Sequence, residues 1–201
     1  MLDKIPTIPG GVLDHAAYHR DFARQIEGLT GVVWKLERSQ VFRELNDPSW
    51  QAFAAGDWQR SLRLLERDRG AVRAEARRNK RQGLSVRRVR VVEYPVSPYL
   101  HWELHALRML AEEGFELSVL RADELSSLES RGQLPEVVVI GKRVLYEVQY
   151  LPDWTPCGAR SIKEPHIIRT AAAEIADLYR RGEPLLDFFE REVAPLPAPA
   201  V

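Results

Sequence analysis

Apolar and polar positions change rhythm near residue 81. Before it, apolar residues recur every three to four positions, as in Ala17, Tyr18, Phe22 and Ile26, and again in Trp58, Leu62, Leu65, Val72 and Ala76. That period belongs to helices with one buried stripe. It predicts a helix over 14–27 with Asp14 as N-cap, and another over 57–80 that Gly70 breaks or kinks. A short helix opens at Asp47-Pro48-Ser49-Trp50, where Pro48 suits a first turn. The exception in this half is VVWKLE, 32–37, whose alternation predicts a strand.

After residue 81 alternation takes over. VRVV and FELSVL (115–120) read as strands, and between them Leu100, Leu104, Leu107 and Ala111 share one helical face. Ser97-Pro98 starts that helix, and Gly114 stands where a C′ glycine belongs. Strand, helix and strand in about 35 residues form a βαβ unit, with parallel strands near 86–92 and 115–120. EVVVI and RVLYEVQY, strands near 136–140 and 144–150, flank Gly141-Lys142, which reads as a two-residue hairpin turn. Helices over 163–181 and 184–193 close the pattern, followed by the Pro/Ala-rich APLPAPAV. The expected fold is α/β, a small mixed sheet with a βαβ unit and a β-hairpin and with helices at both ends. Residues 1–80 would form a helical segment packing on the core, 81–193 the α/β core with C-terminal helices, and 194–201 a disordered tail.

From Val86 to Tyr150 the order of elements resembles one half of the phospholipase-D-like fold. Its motif, His-x-Lys-x-x-x-x-Asp, falls on Leu134, Glu136 and Gly141, which supply neither an imidazole nucleophile nor a cation for phosphoryl oxygens. The resemblance therefore implies a degenerate, non-hydrolytic version. A second resemblance covers most of the chain. WKLERSQVFREL, RRVRVVEYPVSPYLHWEL, GFELSVL and VVVIGKRVLYEVQY are similar to an uncharacterised actinobacterial family often encoded beside helix-turn-helix regulators. The matching positions are Arg88, Arg90, Val91, Val92, Pro95, Tyr99 and Trp102-Glu103-Leu104; RMLAEEGFE replaces that family's Asn-containing loop. The resemblance implies a fold and a regulatory setting but no activity.

Composition narrows the class. Of 201 residues 45% are apolar, enough for a sizeable core, and 29% are charged. No apolar run approaches the roughly 18–20 residues that span a bilayer, and MLDKIPTIPGG lacks the apolar stretch of a secretory signal. Cys157 is the only cysteine, so no internal disulfide forms and a cytoplasmic location is expected. The net charge of zero conceals asymmetry: residues 67–90 hold ten Lys or Arg against Asp68 and Glu75. Such a segment bears on partners rather than on fold.

Candidate chemistry centres on Arg88 and Arg90, which share a strand face and lead toward Glu103. An Arg–Glu network tying helix to sheet is the structural reading. The functional one is an anion site of Arg88, Arg90, Ser97, Tyr99, Trp102 and Glu103, because guanidinium forks and a helix N-terminus both favour anions. His101 and His105 have zinc-ligand spacing, but HWELH is not HExxH, and His15 and His19 repeat it without a glutamate. No metal or cofactor is expected. Cys157, in an exposed loop with His166 as base, is a weak nucleophile candidate. Arg69, Arg73, Arg77 and Lys80 recur at helical spacing beside Arg78 and could meet nucleic-acid phosphates. Three functions fit. The first is a non-catalytic module that senses a small anionic ligand or docks a transcription regulator. The second is a transferase or hydrolase using the Arg/Glu cluster or Cys157, and the third is non-specific nucleic-acid or tRNA binding through 67–90. No membrane partner is expected, and a homodimer would let the basic segment meet an acidic surface.

Overall fold

The structure, a computed structural model, describes residues 1–200. One eight-stranded sheet runs through it in the order β1-β7-β6-β5-β2-β3-β4-β8. The strands are β1 (Gly11–Asp14), β2 (Gly31–Glu37), β3 (Leu84–Val92), β4 (Glu116–Arg121), β5 (Val137–Ile140), β6 (Val144–Tyr150), β7 (Pro156–Ile162) and β8 (Glu183–Pro184). β2, β3 and β4 are parallel; every other pairing is antiparallel. The helices are α1 (His15–Ile26), α2 (Pro48–Ala54), α3 (Trp58–Gln82), α4 (Pro98–Glu112), α5 (Pro165–Arg181) and the short α6 (Leu185–Phe188). Among the described residues no helix is long and apolar enough to cross a membrane.

Local chemistry sets most boundaries. Asp14 accepts from Ala17 N, Asp47 from Ser49 N and Trp50 N, and Ser97 from Leu100 N, so each satisfies backbone donors that a helix start leaves free. After α4, Gly114 takes φ 106° and its N–H reaches Ala111 O, closing the helix as expected. The β3–α4–β4 unit is the parallel βαβ read from the sequence, with Arg87 opposite Glu116.

One sheet face buries Leu36, Val89, Val91, Val137, Val139, Leu145 and Ile162 beneath α5 and the N-terminal turn carrying Leu2 and Ile5. The other face is covered in two separate packs. Toward β4, Val92, Leu117 and Val119 meet Leu100, Leu104 and Leu107 of α4 together with Phe188 and Phe189. Toward β6, Val33, Val138, Ile140, Val144 and Tyr146 lie under Tyr18, Phe22 and Ile26 of α1. Between the two packs the same face carries Lys35, Glu37, Arg88 and Arg90.

Four expectations are corrected. Gly70 does not break α3, which runs 25 residues; the glycine is exposed, and its cost of about 1 kcal/mol is absorbed by a long helix. The β5–β6 turn holds three residues, Gly141 to Arg143, with Gly141 at φ 53° and Arg143 N bonded to Ile140 O. Residues 1–80 are not purely a helical segment on a separate core, because β2 is a central strand flanked by β3 and β5. Cys157 lies within β7 rather than in an exposed loop. PCGARSI has no apolar alternation, and its pairing with β1 depends on Gly158. A Cβ there would stand 2.1 Å from Leu13 O, at a φ of 150°.

Candidate functional site

A cleft of about 830 Å³ opens over the C-terminal ends of β2 and β3. Its floor comes from the polar positions between the two packs. Parallel pairing sets Lys35 beside Arg88 and Glu37 beside Arg90, so four charges share one face of two central strands. Glu103 enters from α4 and Glu136 from the residue before β5. Tyr18, Phe22, Phe42 and Tyr150 form apolar walls, and residues 42–48 form part of the rim.

The floor is wired internally. Arg88 NH1 lies 3.0 Å from Glu37 Oε2, and Lys35 Nζ 3.0 Å from Glu37 Oε1. Arg90 is wholly buried: its Nε donates to Glu103 Oε2 at 2.8 Å and its NH1 to the carbonyls of Glu37 and Val91. Its NH2 has no partner among the described residues. The guanidinium carbon stands 5.9 Å from the Phe42 ring centre, a cation–π distance. Glu136 Oε1 accepts from Arg38 N at 3.0 Å and Ser39 N at 2.7 Å, which fastens the start of the segment leading to the rim. Arg38 secures the same segment through Glu129 and Glu93.

Burial and charge divide the carboxylates. Burial works to raise Glu37, but Arg88, Lys35 and Arg90 outweigh it and hold the group at about 2. Burial raises Glu103 even with Arg90 bonded to it, and the Glu37 charge adds to the rise. Burial pushes Glu136 up to about 7 against the pull of Arg90 and the two backbone donors. Around the cleft, the carboxylates Glu37, Glu44, Asp47, Asp68, Glu103 and Glu136 outnumber the permanent cations, Lys35, Arg43 and Arg88 at the lining and Arg90 buried beneath it.

The structure brings Arg88, Arg90 and Glu103 together and puts the other candidates to different use. Ser97 Oγ caps α4 and donates to Gln40 O at 2.6 Å. Tyr99 is buried, with its hydroxyl 3.4 Å from Glu44. Trp102 is buried against Phe53, and its Nε1 donates to Ser49 Oγ at 2.9 Å, tying α4 to α2. His101 and His105 pack against Trp58, with ring centres 5.4 and 5.0 Å away, and His105 also meets Phe189. Cys157 and His166 stand toward opposite ends of β7. Cys157 is near the start of β7 and His166 in the first turn of α5 beyond its end, and among the described residues no hydrogen bond joins the two. Arg69 and Arg73 are bound by Glu113 of the α4 C-terminus, and Arg69 also by Glu112. Arg77, Arg78 and Lys80 remain exposed. Sequence reasoning missed Lys35, Glu37, Glu44 and Glu136 as parts of the site. Lys35 and Glu37 did carry a signal, since they interrupt the apolar phase of Val33 on a strand rich in apolar neighbours.

Fold and site define a mixed α/β domain with a charged, aromatic-walled cleft at the carboxyl ends of its parallel strands, the place where open α/β sheets gather ligands. The chain belongs to the family described as a domain of unknown function, DUF6879, whose model matches residues 20–190. No curated protein matches the sequence.

Proposed function

We propose that the chain is a non-catalytic ligand-binding module whose cleft takes a small molecule carrying a positive charge on an apolar or aromatic body. The observation that carries this reading is the carboxylate surplus around a cleft with aromatic walls. A buried cluster short of positive charge takes up protons or a cation. Burial raises Glu136 to about 7, so it is the carboxyl that a bound cation would ionise. An added anion fits less well, because Arg90 is fastened at Nε and NH1 and Arg88 already serves Glu37. A recessed floor, with Glu103 and Glu136 buried, suits a small molecule better than the surface of a regulatory protein. The absence of a nucleophile–base pair between Cys157 and His166 supports a binding role over a transferase or hydrolase.

Thermal shifts with agmatine, choline, lysine and arginine, set against phosphate, citrate and sulfate, test the reading. A cationic or zwitterionic compound should raise the melting temperature, and Glu44→Gln should weaken the effect. Calorimetry of such a compound at pH 7 in two buffers of different ionisation enthalpy should report proton release as Glu136 ionises. Stabilisation by the anions alone, abolished by Arg88→Gln, would instead establish an anion site and overturn the proposal.

A further inference from the structure

The basic helix α3 presents two different faces. On the flank toward α4, Arg69 and Arg73 are neutralised by Glu112 and Glu113. The face opposite buried Ser61 and Leu65 follows from the 100° advance per residue. It carries Arg60, Arg63, Arg67, Arg77, Arg78 and Arg81, all exposed, with Glu66, Asp68 and Glu75 on its margins. Among the described residues the only ion pair of these six is Arg67 with its sequence neighbour Asp68, at 3.4 Å. Only Ser61 and Leu65 of the helix are buried, so this outer face has no packing duty. Its six guanidinium groups fall into two clusters, and the residues facing out between them are Gly70, Ala71 and Ala74.

We propose that the outer face of α3 docks on the phosphate backbone of B-form DNA without reading its sequence. This inference is independent of the cleft. Guanidinium forks match phosphate oxygens, and an uncompensated row of them is the footprint of a polyanion partner. From Arg60 to Arg81 the helix advances about 32 Å, close to one turn of duplex. The facing members of the two clusters, Arg67 and Arg77, are about 15 Å apart along the axis, comparable with the ~12 Å major groove. The clusters therefore reach phosphates on either side of the groove, while the glycine and alanines pass over it with no group able to read a base edge. A-form RNA, with its narrow major groove, matches this spacing poorly.

The test is fluorescence anisotropy of a labelled 20-base-pair DNA of arbitrary sequence, titrated with the full chain between 50 and 200 mM salt. Six phosphate contacts give a slope of log affinity on log salt near −5, and affinity falls about a thousandfold across that range. Arg77→Gln with Arg81→Gln should flatten the slope by about two, whereas Arg69→Gln, at a guanidinium already held by Glu66, Glu112 and Glu113, should leave it unchanged. Melting curves confirm that each variant is folded. Absence of binding at 50 mM salt overturns the proposal, as does a slope that responds to Arg69 and not to Arg77 and Arg81. Equal affinity for a duplex RNA removes the groove-spanning geometry and overturns it as well. Self-association at low salt, lost in the same double variant and without DNA binding, assigns the stripe to the acidic cleft of a second copy instead.

Discussion

Replacing Glu136 by glutamine removes a buried charge while keeping the acceptor on which the local backbone depends. Glu136 Oε1 receives both Arg38 N and Ser39 N, and Oε2 shares Arg38 N at 3.2 Å, so a glutamine with its amide oxygen at the Oε1 position still serves both donors. The wild-type carboxyl is raised to about 7 in the folded chain, against 4.5 for the ordinary group. The folded state thus holds the proton more tightly than the unfolded one. Stability from this source is present below about pH 4.5 and is lost as pH rises through 7. A displacement of that size corresponds to about 3 kcal/mol, of which about 2.5 kcal/mol falls between pH 5 and 8.5. The raw wild-type profile will not show it cleanly. His105, held at about 4 by burial with help from His101 and Arg108, opposes it. Its folded pKa is depressed, so its contribution is lost as pH falls from about 6.5 toward 4. The informative quantity is the difference between Glu136→Gln and wild type, in which His105 cancels. At about 2–4 °C per kcal/mol for a chain of this length, the melting gap should widen in favour of the variant by about 5–10 °C from pH 5 to pH 8.5. Calorimetric melts at half-unit pH steps measure it. Parallel curves for variant and wild type would refute the argument that Glu136 carries the unmet charge of the cleft.

Arg90→Ala removes the one side-chain cation bonded to buried Glu103 among the described residues and should cost roughly 3–5 kcal/mol, read as a lower urea midpoint with an unchanged slope. A loss under 1 kcal/mol would mean that Arg90 is not the anchor between β3 and α4. Gly158→Ala places a methyl 2.1 Å from Leu13 O and should separate β1 from β7, seen as faster hydrogen exchange at the β1 and β7 amides that pair the two strands. Unchanged exchange there would show that β1 is held by something other than close backbone approach.

The sequence disclosed the elements whose causes are local. Asp14, Asp47 and Ser97 each announce a helix start, because a short acceptor beside a free N–H needs no distant partner. The β3–α4–β4 unit was legible because its apolar period switches twice within a short span and because handedness leaves few alternatives. β7 was hidden because its permission to pair comes from a glycine facing another strand, a relation no local pattern encodes. The same reason explains half of the site. Arg88 and Arg90 could be placed on one face by alternation alone, but their neighbours depend on β2 running parallel beside β3. Only that pairing sets Lys35 and Glu37 beside them and turns two isolated arginines into part of a cluster rich in carboxylates.

The basic segment teaches the converse lesson. Spacing alone made Arg69, Arg73, Arg77 and Lys80 look like the binding stripe, because they fall on one side of a helix. Spacing cannot say which side faces water. Once α4 lays Glu112 and Glu113 against Arg69 and Arg73, those two are engaged within the chain, and the charge that no other element neutralises is left on Arg60, Arg63, Arg67, Arg77, Arg78 and Arg81. Acid also outweighs base at the strand ends beyond, where Glu37, Glu44, Glu103 and Glu136 crowd around the cleft. The zero net charge of the chain therefore conceals two unlike surfaces, a basic helix face and an acidic cleft, which adjoin at the Arg67–Asp68 pair.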